Sequence, residues 1–205
     1  MSRILLVWFL AVLCATPCAA QRTGRLTAEQ WREDIRFVSD ELIRNHVDPF
    51  HSVTEEAFRD STAAILDRVN GSSDAEIIMG LSALAASIGD AHTYLRFPTE
   101  GPLAFRPYTV RFEWLADGLA IGAAAAEHAA LVGARVDSIG GLPSDSALAR
   151  ASRYLYREND WTARLSAPRV LGLSEPAGVL GLAGPDGSLD LRVTLADGGE
   201  TRATI

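Results

Sequence analysis

Apolar side chains recur with helical spacing through the first half of the chain. Residues 31–42 carry an apolar stripe whose members are separated by four, three and four positions, and residues 77–88 repeat that spacing. A related stripe runs through residues 58–69. Side chains three and four positions apart lie on the same face of an α-helix. The pattern therefore predicts three short amphipathic helices, packed as a small bundle over residues 26–92.

Polar residues mark where each of these helices begins and ends. An N-cap side chain accepts a hydrogen bond from the first free amides of a helix, and a glutamine or glutamate three positions later completes a capping box. The predicted N-caps are Thr27, Thr54 and Ser73. The predicted ends are near His46, where the Asp-Pro pair that follows disfavours helix, at Asn70-Gly71, and at Gly89.

The spacing of the hydrophobic positions changes near residue 93, from the helical repeat to the alternation of a β-strand. Strands are predicted at residues 108–115, 119–121, 134–139, 189–195 and 201–205. Asp117-Gly118 is a hairpin turn between the first two strands, and a helix is predicted from Ser144 or Asp145 to about Tyr156.

We therefore expect an α+β chain, in which a mixed β/α domain at residues 93–205 follows the helical bundle. Because the last predicted strand reaches Ile205 without a cap or turn, we expect that domain to be truncated at its C-terminal end.

The first twenty residues have the pattern of a secretory signal peptide. Arg3 precedes the apolar residues 4–13, and small residues stand at the −3 and −1 positions of a cut after Ala20. The alternative, an uncleaved membrane anchor, is less favoured because a spanning helix needs about 20 apolar residues. We expect a mature chain that starts at Gln21, is exported to the periplasm or secreted, and has no stable membrane anchor. Both cysteines precede Gln21, so the mature chain would have no disulfide.

Composition excludes several classes of protein. The chain has 26 acidic and 19 basic residues, for a net charge of −7, which disfavours binding to nucleic-acid phosphates. All the basic residues are arginines, so this chain holds no P-loop, no Schiff-base lysine and no Ser/Lys dyad. Two cysteines are too few for a disulfide scaffold or a zinc site built on thiolates. No cofactor is predicted.

The candidate metal and anion ligands each have a simpler explanation. His46, Asp48 and His51 could bind a metal, but their spacing matches no helical face and a polar loop is the favoured alternative. His128, in a run of alanines, is a weaker candidate still, and no metal site is predicted. An arginine stripe could clamp a carboxylate, although a solvated helix face is favoured. Its members are Arg150, Arg153 and Arg157.

The sequence has a candidate general base of a hydrolase but no motif for its nucleophile. No Gly-x-Ser-x-Gly nucleophile elbow is present, since Ser174 is followed by Glu-Pro and Ser138 lies in a predicted strand with no glycine before it. His92 follows the third helix stop directly, in Gly-Asp-Ala-His-Thr. An imidazole held at a helix-to-strand junction is suited to general-base catalysis. The alternative is a structural histidine that donates to a backbone carbonyl in a turn.

Residues 84–93, Leu-Ala-Ala-Ser-Ile-Gly-Asp-Ala-His-Thr, follow an amphipathic helix, a His-x-Asp-Pro-Phe loop and a second helix. This run resembles the amino-terminal region of tail-specific (C-terminal processing) serine peptidases, and is most similar to the tricorn-core-like branch. Residues 133–143 resemble the strand and turn of a PDZ-like domain, and residues 158–161 and 168–173 also look like this branch. The resemblance extends over residues 26–205.

The resemblance implies that this chain is the amino-terminal, non-catalytic portion of an exported serine peptidase. The nucleophile of such an enzyme lies in an α/β core after the PDZ-like region, and peptide or protein C-termini are the implied substrate or ligand. Of the Ser-His-Ser-Glu tetrad of that branch, only His92 is carried over as a catalytic residue. Ala91 stands where the tricorn-like pattern has serine.

Two other functions stay open at this point. The chain could be a stand-alone PDZ-like module that binds a peptide by strand addition, without catalysis. It could also be an interaction protein whose helices pack on a partner.

Overall fold

Three helices open the described chain, and a sheet with three more helices follows. The computed structural model describes residues 26–156 and 159–205. The helices are α1 Ala28–Asn45, α2 Glu55–Arg68, α3 Asp74–Ser87, α4 Ser144–Ser152, α5 Asp160–Leu171 and α6 Ser174–Val179. The strands are β1 Val110–Leu115, β2 Gly118–Ala124, β3 Arg135–Ile139, β4 Leu142–Pro143, β5 Asp190–Thr194 and β6 Glu200–Thr204. The predicted α+β class is confirmed.

The helix starts follow from local capping chemistry, as predicted. Thr27 Oγ1 accepts from the Gln30 amide at 3.3 Å, while the Gln30 side chain accepts from the Thr27 amide at 2.9 Å. Ser73 and Glu76 form the same reciprocal pair at the start of α3. Thr54 Oγ1 accepts from the third amide of its helix at 3.2 Å. Each cap satisfies amides that have no partner within the helix.

The sheet is antiparallel throughout, with the strand order β1-β2-β3-β5-β6 and β4 paired to β3. The predicted β1–β2 hairpin is confirmed: Leu115 lies opposite Gly118, whose φ is 126°. The strand predicted at residues 119–121 extends to Ala124, and the predicted strands at 134–139, 189–195 and 201–205 are present with ends that differ by at most one residue. The fold therefore places β1 and β6 at the two edges of the sheet.

The sequence pattern was wrong about the helices between the third strand and the fifth. The helix predicted to reach about Tyr156 ends at Ser152, because hydrogen bonds three residues apart close the next turns. Helices α5 and α6 were not predicted at all. Proline disfavours a helix interior, yet Pro168 lies inside α5. Burial of Ala167, Val170 and Leu171 in the core outweighs that preference.

One hydrophobic core extends through both halves of the described chain. Helix α3 is buried on nearly all sides and packs on α1, α2 and α6. Ser82 Oγ on α3 donates to the Tyr154 carbonyl at 2.7 Å, which adds a polar link between the halves. The boundary near residue 93 stays a prediction.

Across residues 26–156 and 159–205, none of the helices combines the length and the apolar character that crossing a bilayer requires. The predicted signal peptide at residues 1–20 lies outside the described residues.

Candidate functional site

Two loops meet where α1 and α3 end. The first follows α1, which ends when the His46 amide donates to Leu42 O at 3.2 Å. The second begins at Gly89, which has a φ of 82° and ends α3 as predicted. A Cβ atom on Gly89 would lie 2.5 Å from Ser52 Oγ in the first loop. Glycine is therefore required both by the backbone and by the close approach of the loops.

Asp90 is the centre of this junction. Its Oδ1 accepts from the His92 amide at 3.0 Å, and its Oδ2 accepts from Thr93 Oγ1 at 2.8 Å. The same Oδ2 lies 3.2 Å from His46 Nε2. Hydrogen bonds from the His92 backbone, then from the Thr93 hydroxyl, hold the pKa of Asp90 far below its usual range, and the carboxylate is ionised at neutral pH.

The hydrogen bonds of His46 determine which of its nitrogens carries the proton. The Asp48 amide, which can only donate, lies 3.1 Å from His46 Nδ1. Nδ1 must therefore accept, so the proton is on Nε2 and is donated to Asp90 Oδ2. The ring of His51 stacks on that of His46 with centroids 6.0 Å apart, and its Nδ1 donates to the Asp48 carbonyl at 2.8 Å.

His92 has a fixed backbone and an open side chain. Its side chain is 92% exposed, and Nδ1 is 3.5 Å from Asp90 Oδ1, beyond good hydrogen-bond distance. Within the described residues its ring makes no hydrogen bond to a backbone carbonyl, which the structural alternative required. The ring is therefore accessible to a proton-donating group from outside.

The described chain brings no serine to this imidazole. No serine hydroxyl among the described residues is hydrogen-bonded to a histidine ring. Ser174 Oγ donates to Glu175 Oε2 at 2.9 Å, and Ser138 lies in β3 opposite Arg192 and Pro143. The hydroxyl nearest in sequence to His92, that of Thr93, is already bound to Asp90.

The remaining candidate ligands do not form a common site. In the part of the chain that the structure describes, no three His, Cys, Asp or Glu side chains are arranged to hold a metal ion. His128 lies in a short 3-10 turn, Ala126–Leu131. Arg150 Nη1 donates to Leu180 O at 3.1 Å and so helps to end α6. Arg153 lines a separate groove between α4 and α5, and Arg157 is outside the described residues.

Sequence reasoning missed the roles of Asp90 and His46 at this junction. An Asp two positions before His92 is the spacing at which a carboxylate accepts from the backbone in an Asx turn, so Asp90 had a local signal. His46 had none that pointed to Asp90, because the two residues are 44 positions apart and meet only through the packing of α1 on α3.

Comparison with known proteins gives a likeness of fold. No family model matches the sequence, and no curated protein matches it. Mature CPAF is similar in structure with a TM-score of 0.57 and 13% identity, and a serine-to-alanine mutant of CPAF with a TM-score of 0.60 and 15% identity. The matches cover 87% of this chain but only 33–34% of the CPAF chains. The chain thus shares the fold of a part of CPAF, and it spans about a third of the length of those chains.

Proposed function

We propose that this chain is the amino-terminal, non-catalytic portion of an exported tail-specific-type serine peptidase. In the complete protein, His92 is the general base for a serine that lies outside this chain. The observation that carries the proposal is the open imidazole of His92 on a fixed loop, within a fold shared with a third of CPAF.

The geometry of His92 suits the role of a base that acts on a group from another part of a protein. A general base must come within about 2.6–3.2 Å of the proton that it takes. The backbone at His92 is held by Asp90, while the ring faces solvent. A docked domain could therefore reach the ring directly from the solvent side.

The chain by itself is expected to have no peptidase turnover. Nucleophilic catalysis needs a serine held against a base and an oxyanion hole. No described serine is hydrogen-bonded to a histidine, and the sequence has no nucleophile elbow. The proposal thus separates the base, in this chain, from the nucleophile, in the rest of the enzyme.

The proposal also includes a class of substrate and an exported location. The family resemblance supports peptide or protein C-termini as substrates, and the pattern of residues 1–20 supports export. The intact mass of the exported product measures the cleavage site directly. It should correspond to a chain that begins at Gln21. A product that keeps residues 1–20 in the membrane contradicts export.

The central experiment extends the chain with the coding sequence that follows codon 205. The longer protein should cleave an unstructured protein substrate, and His92→Ala should lower the rate by at least about 100-fold. His128→Ala is the matched control, since His128 lies in a separate turn. The 205-residue chain should show no cleavage. An unchanged rate in His92→Ala would refute the role of His92.

The stand-alone peptide-binding module is the second candidate, because strand addition needs an accessible sheet edge. At one edge, the Tyr108 amide just before β1 already donates to Gly172 O at 2.9 Å. At the other edge, β6 pairs only with β5 among the described strands, so this is the edge a peptide could extend. A peptide that binds the 205-residue chain tightly and stays uncleaved by the longer protein would favour this second function.

A further inference from the structure

The hydrogen bond between His46 and Asp90 joins two loops that the sequence separates by 44 positions. We infer that His46 and Asp90 are positioning residues, which together hold the loop that presents the His92 imidazole. The inference rests on the proposed function, in which His92 is the base, and adds the side chains that fix its place.

Asp90 has every feature of a rigid anchor. A carboxylate has acceptor sites only, and three donors reach this one: the His92 amide, the Thr93 hydroxyl and the His46 ring. A further bond, from the Thr93 amide to the Asp90 carbonyl at 3.2 Å, closes the same turn. The backbone on both sides of the His92 Cα atom is therefore bound to one residue.

His46 fixes the anchor in turn. Its Nδ1 accepts from the Asp48 amide, which forces the proton onto Nε2, where it meets Asp90. A neutral ring thus bridges a backbone donor of one loop and the carboxylate of the other. If the ring took the opposite tautomer, Nδ1–H would face the Asp48 N–H and the bridge would break.

The two supporting side chains, His46 and Asp90, are largely buried, whereas the His92 side chain is exposed. The side chains of His46 and Asp90 are 17% and 26% exposed, against 92% for His92. The contact of Gly89 with Ser52 and the stack of His51 on His46 close the space around the pair. The arrangement leaves the base outside and its supports sheltered.

Amide hydrogen exchange of the 205-residue chain tests the anchor without any need for activity. In Asp90→Ala, the His92 amide loses its carboxylate acceptor and should exchange at least about 10-fold faster, the effect of one hydrogen bond to a charged group. The Thr93 amide keeps its bond to the Asp90 carbonyl and should exchange faster only because the turn loosens. His46→Ala should accelerate the same amides, whereas amides at the centre of α3 should change by less than about threefold. Asp40→Asn, which alters an exposed carboxylate on α1, should leave both sets unchanged.

A milder variant guards against loss of folding. Asp90→Asn keeps one oxygen for the His92 amide but presents an amide donor towards His46 Nε2–H. It should therefore detach His46 while the chain stays folded, and the ¹⁵N signals of His46 should report a changed tautomer. Equal acceleration of exchange throughout the chain, or none at residues 92 and 93, would overturn the inference.

Turnover of the longer protein separates positioning from structural support. His46→Ala should lower kcat and leave KM unchanged, and His46→Gln should restore part of kcat because its amide can donate to Asp90. If the longer protein is active and these variants keep full kcat, the inference fails while the proposed function stands. If it is inactive but exchange changes as expected, the proposed function fails, whereas the anchor itself is upheld.

Discussion

Gly89 faces Ser52 so closely that a Cβ atom on the glycine would lie 2.5 Å from the serine hydroxyl and 2.8 Å from its Cβ. This contact joins the α3 exit to the α1–α2 loop. Gly101 offers a comparison within the same chain, since its φ of 79° is similar to the 82° of Gly89, but a Cβ atom there would have no described atom within 4 Å beyond its chain neighbours. The two glycines therefore separate backbone strain from crowding.

Gly89→Ala is expected to destabilise the protein more than Gly101→Ala. Both variants incur the left-handed backbone penalty of about 1–2 kcal/mol, and only Gly89→Ala adds a clash with Ser52. Urea unfolding of both variants gives the two free energies. Equal losses would show that the loops adjust without difficulty and that Gly89 is needed only for its backbone conformation.

Asp90 is expected to make the stability of the chain depend on acidity. Its pKa is lower in the folded state than its ordinary value, so its contribution is complete above about pH 4, the usual range for Asp. The contribution is then lost as the pH falls towards the folded pKa. The difference in unfolding free energy between wild type and Asp90→Asn should therefore be largest near neutral pH and shrink below about pH 4. A difference that is constant with pH would contradict the assignment.

His92→Ala should leave stability almost unchanged. The side chain is 92% exposed and its Nδ1 is 3.5 Å from Asp90 Oδ1, a weak contact, while the amide bond to Asp90 survives the substitution. We expect a change within about 0.5 kcal/mol, as for other surface positions. Thermal melting measures it. A large fall in Tm would reveal a structural histidine and remove the simplest interpretation of its exposure.

Trp31→Phe should weaken the bundle at its first helix. Trp31 is buried, and its Nε1 donates to Asp74 Oδ1 at 2.8 Å, which ties α1 to the first turn of α3. Phenylalanine loses the donor and some packing, so we expect a loss of about 1–3 kcal/mol. Trp161→Phe is the control, since Trp161 is 73% exposed, and it should change the unfolding free energy by less than about 0.5 kcal/mol. Similar losses in the two variants would contradict the importance of the Trp31 bond.

Local chemistry determined how much of this fold could be predicted from the sequence. The starts of α1, α2 and α3 depend on a few neighbouring residues, so their caps were predictable. Helix α5 depends instead on packing against α4 and β1, which no local pattern around Pro168 reveals. The strand order is likewise a property of contacts between distant segments.

The candidate site divides in the same way. His92 could be found because it follows a glycine stop within a recognisable motif, and Asp90 belongs to that motif. His46 also stood out, but for a metal-binding hypothesis that its geometry does not support. Its bond to Asp90 exists because α1 and α3 end side by side, which is a tertiary relationship.

The burial of α3 on nearly all sides has a consequence for how the chain can be divided. After its acidic first turn, α3 is mostly apolar and buried, so it needs neighbours from both halves of the chain to cover it. Cutting the chain near residue 93 would remove α6 and expose an apolar surface on each product. Recombinant halves are then expected to aggregate, and the intact chain to unfold in a single cooperative transition. The helical bundle and the sheet domain therefore stabilise each other through α3. A chimaera that replaces one of them needs side chains that still pack against α3.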